Sequence, residues 1–334
     1  MEGQLATILK EKYTGKPALL IGNGINRMSQ NNMSWKAMLD YLIKRSGTKS
    51  EIGEKPLTFL FEEIIHRMDK GATKENIRDL KIWVRESIEK NIEPNKLHEQ
   101  ITELQIENIL TTNYDYCFEK VLDKNFTKPK SDKKEKFDSS KYSLGRYNTV
   151  KNKKIWHING ELDNGYIASK KKPNKYPEHS IMLGFDQYAS YLKRIFDVIE
   201  YADKKNKDKE GYNEKSLEEI ISKQELWISF FFTHDIHIVG LEMNMVETHL
   251  WWLLNLRANL YDRKECILNN IIYYIPAIPL QTKHVPGFQL QEKKDQIDLL
   301  KSLHVSVKEI DFEFSGGNIF MEHYQKVLDL LKEI

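Results

Sequence analysis

Near its amino terminus the chain reads Ala18-Leu19-Leu20-Ile21-Gly22-Asn23-Gly24, an apolar run that ends in two glycines. Four consecutive apolar residues predict a strand that is buried on both faces of a sheet. Glycines directly after such a strand allow the backbone to approach a phosphate and leave amide groups free to bind it. The third glycine of the G-x-G-x-x-G pattern would fall at Arg27, so that signature is incomplete. A plain strand-to-helix connection is the alternative interpretation.

Apolar segments of similar length recur along the chain and alternate with helical patterns. Further strands are predicted at 106–112, 155–158, 181–183, 236–240, 271–275 and 305–310, and helices at 34–104 (with Ser34 as an N-cap), 185–200, 216–232, 246–261 and 319–334. This alternation predicts an α/β fold, a Rossmann-like parallel sheet with helices on both faces. We expect one domain over 1–334, with a helical insertion at 27–105 after the first strand and a second helical segment at 185–232.

The composition excludes several classes of protein. Hydrophobic residues make up 40% of the 334 residues and charged residues 30%, and the net charge of +2 gives no general argument for a nucleic-acid partner. Two cysteines, Cys117 and Cys266, are too few for a four-cysteine zinc site or a disulfide framework. No signal peptide or membrane-spanning run is evident, so we expect a cytoplasmic protein without a membrane partner. Lysine-rich segments at 124–141 and 170–175 are predicted to be exposed loops.

Polar residues follow the second predicted strand in Thr111-Thr112-Asn113-Tyr114-Asp115. An amide and a carboxylate at this edge of a parallel sheet offer hydrogen bonds to a ribose or a carboxamide. Asp115 has a simpler alternative role, as an Asx turn or N-cap that starts the next helix.

The third predicted strand ends in Trp156-His157-Ile158-Asn159-Gly160. His157 is a candidate general base, because histidine titrates near neutral pH, but a structural histidine of the core fits the same pattern. Strand alternation would direct His157 and Asn159 to one face of the sheet. His234 and His237 would point to opposite faces of their strand, so we expect no metal site there.

Taken in chain order, these segments resemble the sirtuin-like domains of bacterial defence proteins. Gly22-Asn23-Gly24-Ile25-Asn26 corresponds to the family's Gly-Ala-Gly-x-Ser, and Thr112-Asn113-Tyr114-Asp115 to its Thr-Gln/Asn-Asn-x-Asp. His157-Ile158-Asn159-Gly160 is similar to its His-Gly strand, and Gly240-Leu241 with Glu247 to its later ribose-binding turn and helix. The resemblance covers about residues 15–310. The glycine turn and the His-x-Asn-Gly-Glu strand also resemble the AbiH abortive-infection group.

The resemblance implies an NAD hydrolase that cleaves the nicotinamide–ribose bond and depletes cellular NAD as an anti-phage effector. It implies that Asn113 positions the ribose and the attacking water, that Asp115 orients the pocket or binds the carboxamide, and that His157 is the base. The remaining implied NAD contacts are Gly22, Asn23, Gly24 and Asn26 at the pyrophosphate, Gly240, Leu241 and Glu247 on the adenosine side, and Thr112, Asn159 and Gly160.

Three departures from the family pattern matter. Asn23 and Asn26 replace the usual Ala and Ser, and Asn159 stands where a histidine directly precedes the glycine. Either His157 has taken over as the base, or the strand is shifted, or the enzyme is weakened. The zinc module of protein-deacylating sirtuins is missing, which disfavours deacylation, and no metal cofactor is expected.

The resemblance also implies partners. Stand-alone effectors of this size form homo-oligomers or pair with a HerA-type hexameric ATPase, and the sequence does not define the trigger. A non-catalytic sensor that binds NAD or ADP-ribose stays open as an alternative. So does a nucleic-acid-acting protein that uses the lysine loops, although the near-zero net charge disfavours it.

Overall fold

A seven-stranded sheet forms the centre of the computed structural model, which describes residues 4–29, 34–53, 55–126, 144–162, 180–199, 214–263, 267–277, 287–311 and 319–334. The strands are β1 (Pro17–Ile21), β2 (Asn108–Thr111), β3 (Asn148–Val150), β4 (Lys153–His157), β5 (Asp235–Val239), β6 (Ile271–Pro276) and β7 (Ser306–Ile310). Their order across the sheet is β3-β4-β2-β1-β5-β6-β7. All neighbours are parallel except β3 and β4, which are antiparallel.

Twelve α-helices surround the sheet in the described part of the chain. They are α1 (Gln4–Lys12), α2 (Trp35–Ser46), α3 (Leu57–Arg67), α4 (Lys74–Asn91), α5 (Lys96–Glu103), α6 (Cys117–Leu122), α7 (Phe185–Ile199), α8 (Glu214–Lys223), α9 (Phe230–Thr233), α10 (Thr248–Asp262), α11 (Gly287–Ser302) and α12 (Ile319–Lys332). None of these helices is long and apolar enough to cross a membrane.

Both faces of the sheet are covered, as the uninterrupted apolar run of β1 requires. Leu20 faces a core built with α1 and α7 to α10, whereas Leu19 and Ile21 face a second core built with α5, α6 and α12. Four helices, α2 to α5, lie between β1 and β2 in the chain. Helices α2 to α4 supply most of a third apolar cluster, which also includes Cys117, Leu162 and Ile181. The parallel α/β fold predicted from the sequence is therefore confirmed, with one antiparallel strand added at the edge.

The order of the strands places a topological switch point at the carboxyl edge of the sheet. From β1 the chain moves to one side of the sheet through β2 and β4, and then returns to the other side through β5, β6 and β7. The direction in which successive strands are added to the sheet reverses at the boundary of β1 and β5. Ligands of open α/β sheets bind outside the carboxyl ends of the strands at such a switch point.

One predicted strand is wrong. The apolar run 181–183 forms a single antiparallel bridge, between Ile181 and Gly160, and lies outside the sheet. Its backbone pairs with the turn after β4 instead, since Met182 N donates to the Asn159 carbonyl at 3.0 Å. An apolar run indicates that a segment is buried. Burial alone does not distinguish a strand from a packed connection, so the sequence pattern predicts a strand here. The lysine-rich segment 170–175 lies outside the described residues, as does most of 124–141.

Candidate functional site

The turn after β1 packs directly against the turn after β5. The amide of Gly22 donates to the Val239 carbonyl at 3.0 Å, and the amide of Gly24 donates to the Gly240 carbonyl at 2.8 Å. A Cβ atom on Gly22 would lie 2.4 Å from the Cα of Leu241, and one on Gly24 would lie 2.8 Å from the Gly240 carbonyl oxygen. The contact between the two turns therefore requires these glycines. In this structure their amides are not the free phosphate donors that the sequence analysis expected.

Asn113 lies beside this turn, at the end of β2. Its side-chain amide donates to the Gly22 carbonyl at 3.3 Å, and its backbone amide donates to the Thr111 hydroxyl at 3.0 Å. The neighbouring amide of Thr112 donates to the Ile21 carbonyl at 3.1 Å. The side chain is thus buried and held on the first turn, and these bonds fix where the Asn113 amide lies at the carboxyl edge.

Asp115 connects the start of α6 with the end of the first turn. One carboxylate oxygen accepts from the Cys117 amide at 3.0 Å, which is the Asx-turn geometry, and the other accepts from the Asn26 side chain at 2.6 Å. Burial opposes ionisation, but His98 and the hydrogen bonds from Cys117 and Asn26 outweigh it and hold the pKa of Asp115 below its ordinary value. Asp115 therefore takes the alternative, structural role, and both it and Asn26 are already engaged.

His98, Asp115 and Cys117 are the one group of potential metal ligands found among the described residues. Their ligand atoms lie within 4.8 Å of one another, and all three residues are buried. Burial and the nearby Asp115 raise the pKa of the Cys117 thiol, so the thiol is protonated. The His98 Nε2 already contacts the Asn26 side-chain oxygen at 3.0 Å. A metal ion would have to displace these hydrogen bonds, because the donors are satisfied by one another.

His157, at the end of β4, has both ring nitrogens engaged. Nδ1 donates to the Asn113 carbonyl at 2.8 Å, and Nε2 donates to a carboxylate oxygen of Glu119 at 2.9 Å. Burial lowers the pKa of His157, but Glu119, Glu161 and the Asn113 carbonyl outweigh it and raise the pKa to about 9. The ring is an imidazolium at neutral pH and has no lone pair to act as a base. It supports Asn113 through the backbone.

The His157 cation belongs to a buried network of charges that the sequence did not predict. Asn148 donates to Glu119 and to Glu161, both at 2.8 Å, and the Arg146 Nε donates to Glu161 at 2.8 Å. Two carboxylates and two cations balance each other, which is what burial of charge requires. No local motif marks Glu119, which reaches His157 from α6.

The Asn159 side chain does not lie on the same side of the sheet as the His157 ring. β4 ends at His157, and the chain then turns, with the Gly160 amide donating to the His157 carbonyl at 3.0 Å. The turn needs Gly160, whose φ is +95° and whose Cβ would lie 2.3 Å from the Ser180 carbonyl oxygen. The prediction that His157 and Asn159 share a face is wrong, because strand alternation stops at this turn.

The Asn159 side chain meets the loop after β5. Its amide nitrogen donates to the two carboxylate oxygens of Glu247 at 3.2 and 3.4 Å and to the Tyr188 hydroxyl at 3.3 Å. Its buried carbonyl oxygen has no hydrogen-bond partner within the described ranges. β4 and β5 are separated by β2 and β1, so this contact bridges the carboxyl ends of two intervening strands.

Glu247 precedes α10 and is almost fully buried, with 9% of its surface exposed. Burial raises its pKa to about 7, and the hydrogen bond from Asn159 offsets that effect only in part. His249 Nε2 lies 3.7 Å from a Glu247 oxygen, which is beyond hydrogen-bonding distance. The residue that the resemblance assigns to the adenosine side thus contacts Asn159, in the turn that follows β4.

Comparison with known protein families gives a match over part of the chain. Residues 107–235 match the SIR2-like domain. The SIR2-like segment runs from β2 to the first residue of β5 and contains Asn113, Asp115, His157 and Asn159. SIR2-like domains are often NAD-dependent enzymes, so the match implies NAD binding and NAD-related chemistry. No curated protein matches the sequence.

Sequence reasoning missed two members of the site. Tyr188 and His249 are spaced as core residues on α7 and α10, and both are buried beside Glu247. Tyr188 and His249 become neighbours of the Asn159–Glu247 pair only because α7 and α10 pack against each other in the folded chain. No signal within either helix distinguishes them from ordinary core residues.

Proposed function

We propose that the protein binds NAD across the carboxyl edge of its sheet and hydrolyses the nicotinamide–ribose bond to give ADP-ribose and nicotinamide. The observation that carries this proposal is a chain of contacts at the switch point of the SIR2-like fold. Gly22 accepts from Asn113, and the Asn113 carbonyl accepts from His157. The three segments that the family resemblance implies for NAD thus meet at one edge.

The residues present fit such a substrate. The buried carbonyl oxygen of Asn159 lacks a donor within the described ranges, and the ribose hydroxyls and carboxamide of NAD supply donors. An unpaired buried acceptor costs about 1–3 kcal/mol, so a ligand that pairs with it gains affinity. The turns at Gly22 and Gly240, held together by hydrogen bonds, would form the floor beneath the dinucleotide.

Asn113 has the central role in this proposal. Cleavage proceeds through a ribose with oxocarbenium character, and the protein must hold that ribose and the attacking water in line. The Asn113 amide, fixed by Gly22 and Thr111, would orient both. His157 would stabilise this arrangement as a buried cation, and Asp115 would hold the end of the glycine turn through Asn26.

Substitution of Asn113 tests the proposal. We expect Asn113→Ala to lower nicotinamide release from NAD by about 10²–10³-fold, the usual effect of removing one positioned polar group. NAD binding and the fold should persist, and chromatography of the products with a parallel binding titration measures both. The matched control is Asn255→Ala, which removes an exposed asparagine of α10. Equal hydrolysis by Asn113→Ala and the wild type would refute the assignment.

A sensor that binds NAD or ADP-ribose without cleavage is the second candidate. It is favoured by one observation, the engagement of both His157 nitrogens, which removes the expected histidine base. This function predicts saturable binding of NAD with no nicotinamide produced. The product assay above separates the two functions directly.

We further propose that the activity serves anti-phage defence and is controlled by assembly. Continuous depletion of NAD would kill the host cell, so the enzyme must stay idle until it is triggered. The support is the resemblance to defence effectors, which form homo-oligomers or pair with a HerA-type ATPase. Gel filtration of the chain, alone and with the product of a neighbouring gene, tests this. A monomer under all conditions, with full activity, would contradict it.

A further inference from the structure

Glu247 lies in an environment that does not suit a structural carboxylate. Buried carboxylates are normally paired with a cation, as Glu161 is with Arg146 in this protein. Within the described residues no lysine or arginine pairs with Glu247, and its hydrogen bonds come from the uncharged amide of Asn159. A buried carboxylate without a cationic partner among the described residues needs an explanation.

The groups around Glu247 add to this picture. Tyr114, from the segment after β2, and Tyr188, from α7, lie close enough for their hydroxyls to interact with each other and with the Glu247 charge. His249 is fully buried among the rings of Tyr188 and other aromatic residues, and neither of its ring nitrogens has a hydrogen-bond partner within the described ranges. The cluster therefore contains two unsatisfied polar side chains, Asn159 and His249, beside one unpaired acid.

The position of the cluster connects it with the proposed reaction. Glu247 follows β5 and Asn159 follows β4, so their contact crosses the carboxyl ends of β1 and β2. Asn113 lies at the end of β2 and contacts the turn after β1. The acid thus lies on the same edge of the sheet as the asparagine that would orient the ribose.

We propose that Glu247 is the general base of the hydrolysis and that Asn159 is the residue that positions it. This inference rests on the proposed function, NAD hydrolysis at this edge. Asn159 contacts both oxygens of the carboxylate, which fixes the plane of the group. A base supplied from the start of α10 would account for an asparagine at the strand position where the resembled family has histidine.

The step balances without any further reactant. Water attacks the anomeric carbon of the ribose as the carbon–nitrogen bond to nicotinamide breaks. The electron pair of that bond moves to the pyridinium nitrogen and neutralises it. Glu247 accepts the proton of the attacking water and later releases it to solvent. The overall change consumes NAD and water and yields ADP-ribose, nicotinamide and one proton.

The neighbours of Glu247 leave it free to exchange that proton near neutral pH. Burial lowers the pKa of His249 to about 3 and raises the pKa of both Tyr114 and Tyr188, so all three are uncharged at pH 7. Burial raises the pKa of Glu247 itself to about 7. A base works best when its pKa lies near the operating pH.

The test compares Glu247→Gln with Glu242→Gln, which makes the same chemical change at an exposed acid of the same loop. Nicotinamide release from NAD and the affinity for NAD are measured over about two pH units on either side of the pKa of about 7. We expect wild-type kcat/KM to rise with pH through this value and then level off. Glu247→Gln should lose about 10²–10⁴-fold in rate, with NAD affinity unchanged, and Glu242→Gln should match the wild type.

A second variant separates a base from a structural group. Glu247→Ala leaves space for a small carboxylate, so added formate should restore part of its nicotinamide release in a concentration-dependent way. Formate should not stimulate Glu242→Gln or the wild type. Rescue of this kind depends on proton transfer, and a packing role would not produce it.

The outcomes distinguish this inference from the proposed function. If the wild type releases nicotinamide and Glu247→Gln does so equally well, or binds NAD much more weakly, the role of Glu247 as a base is overturned and hydrolysis stands. If the wild type, alone and with the product of a neighbouring gene, binds NAD but releases no nicotinamide, both are overturned. If Glu247→Gln fails to fold by circular dichroism, the wild-type pH profile decides, and a rate independent of pH overturns the inference.

Discussion

A histidine acts as a base only while one ring nitrogen keeps a lone pair. The residue type and strand-end position of His157 predict a base, but its contacts with Glu119 and the Asn113 carbonyl make it a buried cation. Residue type alone could not have shown this, because Glu119 reaches the ring from another element. The same limit applies to Glu247, whose burial and isolation from cations depend on packing.

The His157 cation makes a prediction about stability against pH. Its pKa is about 9 in the folded protein and 6.5 in a model compound, so folding favours the protonated ring. This stabilisation is fully present below pH 6.5 and is lost as the pH rises through about 9, by up to about 1.4 kcal/mol per pH unit. Urea unfolding at a series of pH values should show the free energy of unfolding fall across this window.

The control for that measurement is His157→Gln. This variant should be less stable at pH 6.5 and below, because it leaves the Glu119 carboxylate buried without its charged partner. Loss of one member of such a pair costs about 3–5 kcal/mol. The free energy of the variant should also be flatter between pH 6.5 and 9. Parallel curves for the wild type and the variant would exclude a charged His157.

At the scale of elements, the sequence predicted strands with a clear apolar run and missed the short strand β3 and the short helix α1. The central strand β1 carries an apolar run, Leu19–Ile21, which identifies it without any tertiary information. The edge strand β3 has three residues and is defined by its pairing with β4. Helix α1 buries only Leu5, Ala6 and Leu9, so its pattern is too short to stand out. The secondary structure of such short elements depends on tertiary contacts with neighbouring elements.

The packing of the two glycine turns makes a prediction at the same scale. Gly22→Ala would place a Cβ 2.4 Å from the Cα of Leu241, and neither backbone can move without breaking the contact between β1 and β5. We expect a loss of about 3 kcal/mol, the upper part of the range for overpacking. Chemical denaturation of the purified variant measures it.

Gly47→Ala is the matched control for this comparison. Gly47 ends α2 with a φ of +67°, and nothing lies within 4 Å of the position of its Cβ. Alanine there carries only the cost of the left-handed conformation, about 1 kcal/mol. If Gly22→Ala were no more destabilising than Gly47→Ala, the close approach of the two turns would be wrong.

At the scale of the whole molecule, strand order explains which parts of the site were predictable. Residues at the carboxyl ends of parallel strands must lie on one edge, so the proximity of Gly22 and Asn113 followed from the predicted sheet. The contact between Asn159 and Glu247 joins residues 88 positions apart and crosses two strands. It depends on the path of the loop after β5, which no strand or helix pattern specifies.

The same geometry predicts how a dinucleotide should affect the stability of the whole chain. A ligand that contacts the turns after β1, β4 and β5 binds only the folded protein, and a hundredfold excess over Kd adds about 2.7 kcal/mol. For a chain of this size that corresponds to a rise in Tm of roughly 4 °C. ADP-ribose is the better probe, because the reaction does not consume it, and NAD should give a similar rise at early times.

Pyrophosphate at the same concentration controls for general effects of anions, and it should shift Tm little because it cannot reach all three turns. Pyrophosphate has no ribose hydroxyl to pair with the Asn159 carbonyl oxygen, whereas ADP-ribose carries both a ribose and phosphates. A Tm that responds equally to pyrophosphate and ADP-ribose would mean that the edge binds anions without recognising a dinucleotide. A Tm that responds to neither would remove the substrate, and with it the reason for an unpaired acid at Glu247.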